Sequence, residues 1–271
     1  MDGTKPELTY LSMGWGVQSW CIAAMCALGE LPPIDVAIHS DTGHEMQATY
    51  DHAAEWTPWL EARGVKVVTV SPENNDVVRR DWGKHTVVMV PAFSLAHKDG
   101  SSGQVKRQCT NRWKIMPIRK QLREILGTKR PRPGAVECWQ GITLDEFHRM
   151  RTADVRYTHN VYPLVDRRMT RADCVQWLLA HGLPVPAKSG CTFCPYHSGA
   201  QWRTLKAKGG ADWEHSVLAD LEIRDQRAHV GFDMFMHSAR VPLADAINIP
   251  EDEGAHQMEM DIPCDGGVCF V

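Results

Sequence analysis

The sequence lacks any run of about 20 apolar residues, the length a helix needs to cross a bilayer, which argues against a membrane-spanning protein. Its start, "MDGTKPELTYLS", lacks the basic region and apolar core of a secretory leader, so a cytoplasmic location is expected. Positive charge is not in excess. The 30 Lys and Arg stand against 33 Asp and Glu, a formal net charge of -3, which gives no general pull toward nucleic acid or an anionic membrane but leaves room for a local basic patch. Repeats and low-complexity tracts are missing as well. What is present is an ordinary globular composition. The 271 residues, 43% hydrophobic and 23% charged, can bury a full core and suit one domain or one domain with an appendage. Nine cysteines in such a chain point to metal binding or redox chemistry rather than a disulfide framework. Cys21, Cys26 and Cys174 fall inside helical patterns and read as small buried hydrophobes.

Short apolar runs alternate with helical stretches through the first half. Strands are expected at 8–12, 34–41 and 65–71, with helices at 17–29 and 46–63 between them, closed by Gly29 and Gly64. This alternation implies a Rossmann-like α/β fold, a parallel sheet with helices on both faces. Further strands are expected at 86–93 and 135–142 and a helix at about 114–126. The helix at 170–182 has the clearest limits: Thr170 and Asp173 form a capping-box pattern, and Gly182 with Pro184 ends it. Residues 96–108 read as a mobile, mildly basic loop. The expected division is an α/β nucleotide domain over 1–165 and a helical, cysteine-bearing region over 166–271, with a mobile tail from about 250.

In an open parallel sheet, ligands bind beyond the carboxyl ends of the strands. "SMGWGVQS" (12–19) lies there, after the first strand. Gly14 and Gly16 let the backbone approach a ligand, Ser12 and Ser19 offer hydroxyls, and the following helix N-terminus favours an anion such as phosphate. The alternative is a plain glycine turn. At the second strand's end, "SDTGHE" (40–45) places Asp41, Thr42 and Gly43 where a base or ribose would lie. Elsewhere, Cys191 and Cys194 form a C-x-x-C turn, and Cys109 lies far upstream. Such a turn brings two thiolates to one metal and takes further ligands from other parts of the fold. Structural zinc, with His197 as fourth ligand, is the simplest reading; Cys138, on a strand, reads first as a core residue and is held in reserve as a ligand that could complete the set.

The series "SMGWGVQS", "SDTG", "CTNRWKIMPI" (109–118), "GITLDEFHRM" (141–150), "YPLVD" (162–166) and "SGCTFC" (189–194) resembles, in order, the phosphoadenosine phosphosulfate (PAPS) reductase family of the adenine nucleotide alpha hydrolase, or PP-loop, superfamily. The resemblance covers roughly 8–240. It implies a first loop, with Gly141 nearby, that holds the phosphate of ATP, PAPS or adenylylsulfate, with the DTG-like turn beside the adenosine. Lys114 and Arg149 would then hold phosphate or sulfate. It favours a 4Fe-4S cluster on Cys109, Cys191 and Cys194 over zinc, and it assigns Cys264 or Cys269, near the C-terminus, as the nucleophile toward sulfur.

Three departures accompany it. Gln18 stands where many relatives carry a magnesium-associated aspartate, and an amide holds a hard cation poorly. A Cys-Cys pair is reduced to Cys109-Thr110, so one cluster ligand is missing and one iron would stay open. The tail reads "IPCDGGVCFV" in place of Glu-Cys-Gly-Leu-His.

The expectation is therefore an adenine-nucleotide-dependent enzyme of sulfur chemistry, a sulfurtransferase acting on an acceptor such as nucleic acid. The alternatives are reduction of PAPS or adenylylsulfate with a thioredoxin-like reductant, and a non-catalytic, zinc-stapled nucleotide-binding protein. A homodimer is a further expectation. "WRTLKAKGG" (202–210) and "VKR" (105–107) could line a nucleic-acid channel but at this net charge read first as solvated surface, and Trp56, Trp59 and Trp177 read as helix packing.

Overall fold

The computed structural model describes residues 5–81, 85–95 and 102–246. In chain order, β1 (Leu8–Ser12), α1 (Val17–Ala27), β2 (Val36–Ser40), α2 (Gln47–Glu61) and β3 (Val67–Val70) come first. The short strands β4 (Val78–Asp81), β5 (His85–Val88), β6 (Phe93–Leu95) and β7 (Gly103–Gln104) follow. A π-helical turn (Thr110–Ile115) runs into α3 (Met116–Ile125), then β8 (Val136–Trp139), a 3-10 segment (Leu144–Arg149), β9 (Thr158–Val161), α4 (Pro163–Asp166) and α5 (Arg171–Ala180). The last described elements are α6 (Gly199–Lys208), α7 (Ala211–Arg224), α8 (Arg227–Val230), β10 (Asp233–Phe235) and α9 (Leu243–Ala246).

The chain packs as two compact units. The first holds the described residues up to Glu73 together with Thr110–Ser189; the second holds those of Asn74–Cys109 and 190–246. The expected sequence boundary at 165/166 falls inside the first unit, because α5 buries Cys174 and Leu178 in the same core as Trp20 and Cys21 of α1.

The first unit is a five-stranded sheet, order β3-β2-β1-β8-β9, with every neighbouring pair parallel. It is the Rossmann-like α/β architecture expected. Successive strand side chains point to opposite faces, and the two cores divide accordingly. Leu11, Ala37 and Trp139 face α1, α2 and α5, whereas Leu8, Tyr10, Val36, Ile38, Val136 and Cys138 face Ile118 and Leu122 of α3. Burial on both faces explains why these strands read as apolar runs rather than alternating ones.

Helix ends follow local chemistry. Thr170 Oγ1 accepts from the Asp173 N–H while Asp173 accepts from the Thr170 N–H, completing the expected capping box on α5. Ser198 and Gln201 make the same box on α6, which the sequence reading missed. In the second unit the expected strand 86–93 is two pieces: β5 pairs antiparallel with β4, and β6 pairs antiparallel with β7 and β10. Pro91, between them, has no N–H for a ladder and ends the run. Gly103–Gln104, expected in a mobile loop, is strand β7; residues 96–101 of that loop lie outside the described residues. No helix among the described residues is long and apolar enough to cross a membrane.

Candidate functional site

In the first unit, the tips of β1, β2 and β8 converge on the start of α1. The Met13 N–H continues the sheet by donating to Ile38 O (2.9 Å), and the chain then turns through Gly14, Trp15 and Gly16. Ser19 braces the turn: its Oγ accepts from the Gly14 N–H (3.2 Å) and donates to Gly16 O (3.3 Å). The Ser19 hydroxyl is thus engaged within the loop. Ser12 differs. Its Oγ is buried without a hydrogen-bond partner at the carboxyl end of β1, the kind of orphan a bound polar ligand would satisfy.

Trp15 takes φ +56°, costly for a residue with a Cβ, and is held there by burial against Trp20 (6.3 Å between ring centres) and His52 (5.7 Å). Gly16 is the N-cap of α1 and supplies no side-chain cap. The first intrahelical bond is Trp20 N–H to Gly16 O (2.9 Å), so the N–H groups of Val17, Gln18 and Ser19 precede the helical ladder and form a positive helix end.

Both flanking glycines are required by close approach. A Cβ on Gly16 would lie 2.8 Å from Ser189 Oγ, and one on Gly141 would lie 2.8 Å from the Ser19 nitrogen and 3.1 Å from Gln18 Cβ. Gly141 therefore lets the β8 loop close on the first turn of α1.

That loop carries a polar chain. Gln18 Nε2 donates to Glu146 Oε2 (3.1 Å), Arg171 Nη1 donates to Gln18 Oε1 (2.9 Å), and Arg149 pairs with Glu146. Burial lowers the Arg149 pKa, with Glu146 opposing that effect. Gln18 is therefore engaged at both ends of its amide.

At the tip of β2, the Asp41 N–H donates to Val70 O (2.8 Å), and Asp41 Oδ1 accepts from the Gly43 N–H (2.8 Å) and the Tyr50 hydroxyl (2.8 Å). Gly43, at φ +74°, closes this Asx turn. Thr42 Oγ1 donates to Glu45 Oε1 (3.2 Å), and Lys114 Nζ lies 3.6 Å from the same oxygen, both carboxylate and ammonium being largely buried. His39, on β2, places Nδ1 2.9 Å from Met13 O, and burial lowers its pKa. The sequence reading missed His39, Glu45 and Tyr50. Only their adjacency to the glycine loop distinguishes them, and adjacency is a property of strand pairing. The structure thus places Ser12, Gly14, Gly16, Gln18, Ser19, Gly141 and Arg149 around the start of α1, and Asp41, Thr42, Gly43 and Lys114 around the tip of β2.

In the second unit, the Cys191–Cys194 turn is closed by Cys194 N–H to Cys191 O (3.1 Å) and His197 N–H to Cys194 O (3.0 Å). His197 Nε2 lies 2.9 Å from Cys191 O, and its ring stands edge-on to Trp202. The ring nitrogen engaged with that carbonyl braces the turn. Cys109 donates its N–H to Met89 O (2.7 Å) just before the π-helical turn. Arg107 joins the two cysteine segments. Burial disfavours its charge, but the neighbouring Cys109 and Cys194, with a hydrogen bond to Cys109, outweigh that and raise its pKa. Its guanidinium also lies over the Tyr196 ring, 5.4 Å from the centre.

The donor set suits an iron–sulfur cluster in kind, being three thiols with a guanidinium that offsets thiolate charge. As placed, no group of three or more His, Cys, Asp or Glu side chains among the described residues is disposed to hold a metal ion. Cys138 is a core thiol on the α3 face of the sheet, pushed up to about 11 by burial. Cys264 and Cys269 lie outside the described residues.

No family model matches the sequence, and no curated protein matches it. Among solved structures the chain is similar to the phosphoadenylyl-sulfate (PAPS) reductase of Candida auris, a phosphate complex. The TM-score is 0.43 at 14% identity, covering 68% of this chain and 76% of that one.

Proposed function

We propose that this chain is an adenine-nucleotide-dependent enzyme of sulfur chemistry that transfers sulfur to an activated acceptor such as nucleic acid. The observation that carries the reading is the buried Ser12 Oγ at the carboxyl end of β1, without a hydrogen-bond partner, beside the first-turn N–H groups of α1 that precede its helical ladder. In this reading the first-turn N–H groups of α1 and the Ser12 hydroxyl take the nucleotide's phosphate, Asp41, Thr42 and Gly43 take the adenosine, and Lys114 and Arg149 neutralise charge on the departing group. Cys109, Cys191 and Cys194 would hold a 4Fe-4S cluster, which supplies a sulfur-binding iron when bound. Arg107 keeps the thiolates paired with positive charge.

Gln18 favours a second reading. With its amide engaged by Arg171 and Glu146, and no carboxylate in its place, the loop suits a nucleotide whose cleavage needs no magnesium. That nucleotide would be PAPS or adenylylsulfate. A Cys264 or Cys269 thiolate would attack the sulfate sulfur and expel the nucleotide phosphate, leaving an S-sulfocysteine. A second thiol would then displace sulfite and form a disulfide, which a thioredoxin-like protein would reduce.

One anaerobic experiment separates these. The reconstituted protein is incubated either with ATP, sulfide and nucleic acid or with PAPS and thioredoxin. AMP together with thiolated nucleic acid supports transfer, and free sulfite supports reduction. A colourless zinc protein, inert in both mixtures, would instead be a nucleotide-binding module.

A further inference from the structure

Leu144 and Phe147 lie in the 3-10 segment, which leaves helical geometry at Glu146 (φ -114°, ψ 16°), and Met150 follows as its extended C-cap. All three are solvent-exposed, Phe147 at 62%, where large apolar side chains ordinarily find cover. The segment is fixed beside the end of α4 by the Leu144 N–H donating to Met169 O (2.8 Å) and the Arg171 N–H donating to Asp145 Oδ1 (3.2 Å).

The surroundings are basic. Residues 144–151 and 167–171 carry five arginines against two carboxylates, in a chain whose net charge is -3. Arg151 directs its guanidinium to the carbonyls of His148 and Met150, and neither it nor Arg168 forms an ion pair among the described residues. Arg168 sits at φ +56°, just past α4, where a helix end usually places glycine. Backbone strain retained for an exposed arginine points to a use for its side chain.

We infer that these exposed apolar side chains and the neighbouring arginines form a binding surface for single-stranded nucleic acid, with bases stacked on Phe147 and the backbone tracked by Arg151 and Arg168. Stacking on an exposed aromatic beside unpaired cations is the general means of holding single strands. The inference rests on the sulfur-transfer reading, whose acceptor it specifies, and it assigns no base sequence.

The test uses the full chain and a labelled single-stranded oligonucleotide of mixed sequence, read by fluorescence anisotropy without nucleotide, iron or sulfide. Phe147→Ser should weaken binding about tenfold or more, while Phe147→Trp retains it. Arg151→Gln should lower the slope of log affinity on log salt by about 0.7. Arg168→Gly should weaken binding while leaving Tm close to that of the parent, because relief of the positive φ offsets the greater freedom of glycine in the unfolded chain, so a loss at unchanged Tm does not come from unfolding. Several results would overturn the inference: no binding at low salt, tighter binding of duplex than of single strand, equal binding of polyglutamate, or unchanged affinity in Phe147→Ser and Arg168→Gly. Oligonucleotide binding without thiolation sinks the transfer reading and keeps the surface. Thiolation that survives these substitutions does the reverse.

Discussion

Gln18 accepts a hydrogen bond from Arg171, Oε1 to Nη1, at 2.9 Å. The same amide donates to Glu146, so one neutral side chain links a cation to a carboxylate at the start of α1. The amide accepts through its oxygen and donates through its nitrogen at once. Gln18→Glu keeps the length but sets two carboxylates together, and should cost about 1 kcal/mol of stability by denaturant unfolding. Adding Glu146→Gln should recover most of it. A double-mutant cycle with no coupling would contradict the linkage.

The two close-approach glycines should respond differently. At Gly16 the obstacle is the Ser189 hydroxyl, which can swing aside; at Gly141 it is backbone of the first turn of α1, which cannot. Gly141→Ala is expected to cost about 1–3 kcal/mol and to weaken nucleotide binding. Gly16→Ala should be the milder change in both measurements, and the opposite order would show that the β8 loop does not seat α1.

His52 stands edge-on to Trp15 and Trp20, and burial pushes its pKa down to about 4 from an ordinary 6.5. A base whose folded pKa is depressed is protonated more readily in the unfolded chain. Its contribution to stability is therefore whole above pH 6.5 and declines as pH falls from 6.5 toward 4. Buried His39 shifts in the same direction. Replacing His52 with Phe should flatten the stability–pH curve across that window, as read by urea unfolding at stepped pH.

Anaerobic reconstitution with iron and sulfide should give a brown protein. Cys109→Ser, Cys191→Ser and Cys194→Ser are each expected to lose iron and labile sulfide, whereas Cys138→Ala, a change on the α3 face of the sheet, should retain them. Arg107→Met should lower cluster retention with the three thiols intact, because it removes the cation beside Cys109 and Cys194. Full iron content in Cys109→Ser would refute ligation by these three thiols.

Much of the first unit was legible in the sequence because its signals are local. Gly29, Gly64 and Gly182 all take positive φ at helix ends, and Thr170 with Asp173 caps α5. The apolar runs at β1 and β2 marked strands buried on both faces. The run at 86–93 was misread because antiparallel pairing of short strands depends on distant partners: β6 pairs with β10, about 140 residues later in the chain.

The sequence by itself determined the order of elements, the glycine turn after β1 and the cysteine spacing, since backbone propensity and turn chemistry act over a few residues. Only the tertiary structure decided that Gln18 is engaged between Arg171 and Glu146, and that Ser19 is used up within its own loop while Ser12 is left unsatisfied. Those relationships join residues far apart along the chain. A side chain's partner there is set by how strands and helices pack, and no local pattern encodes it.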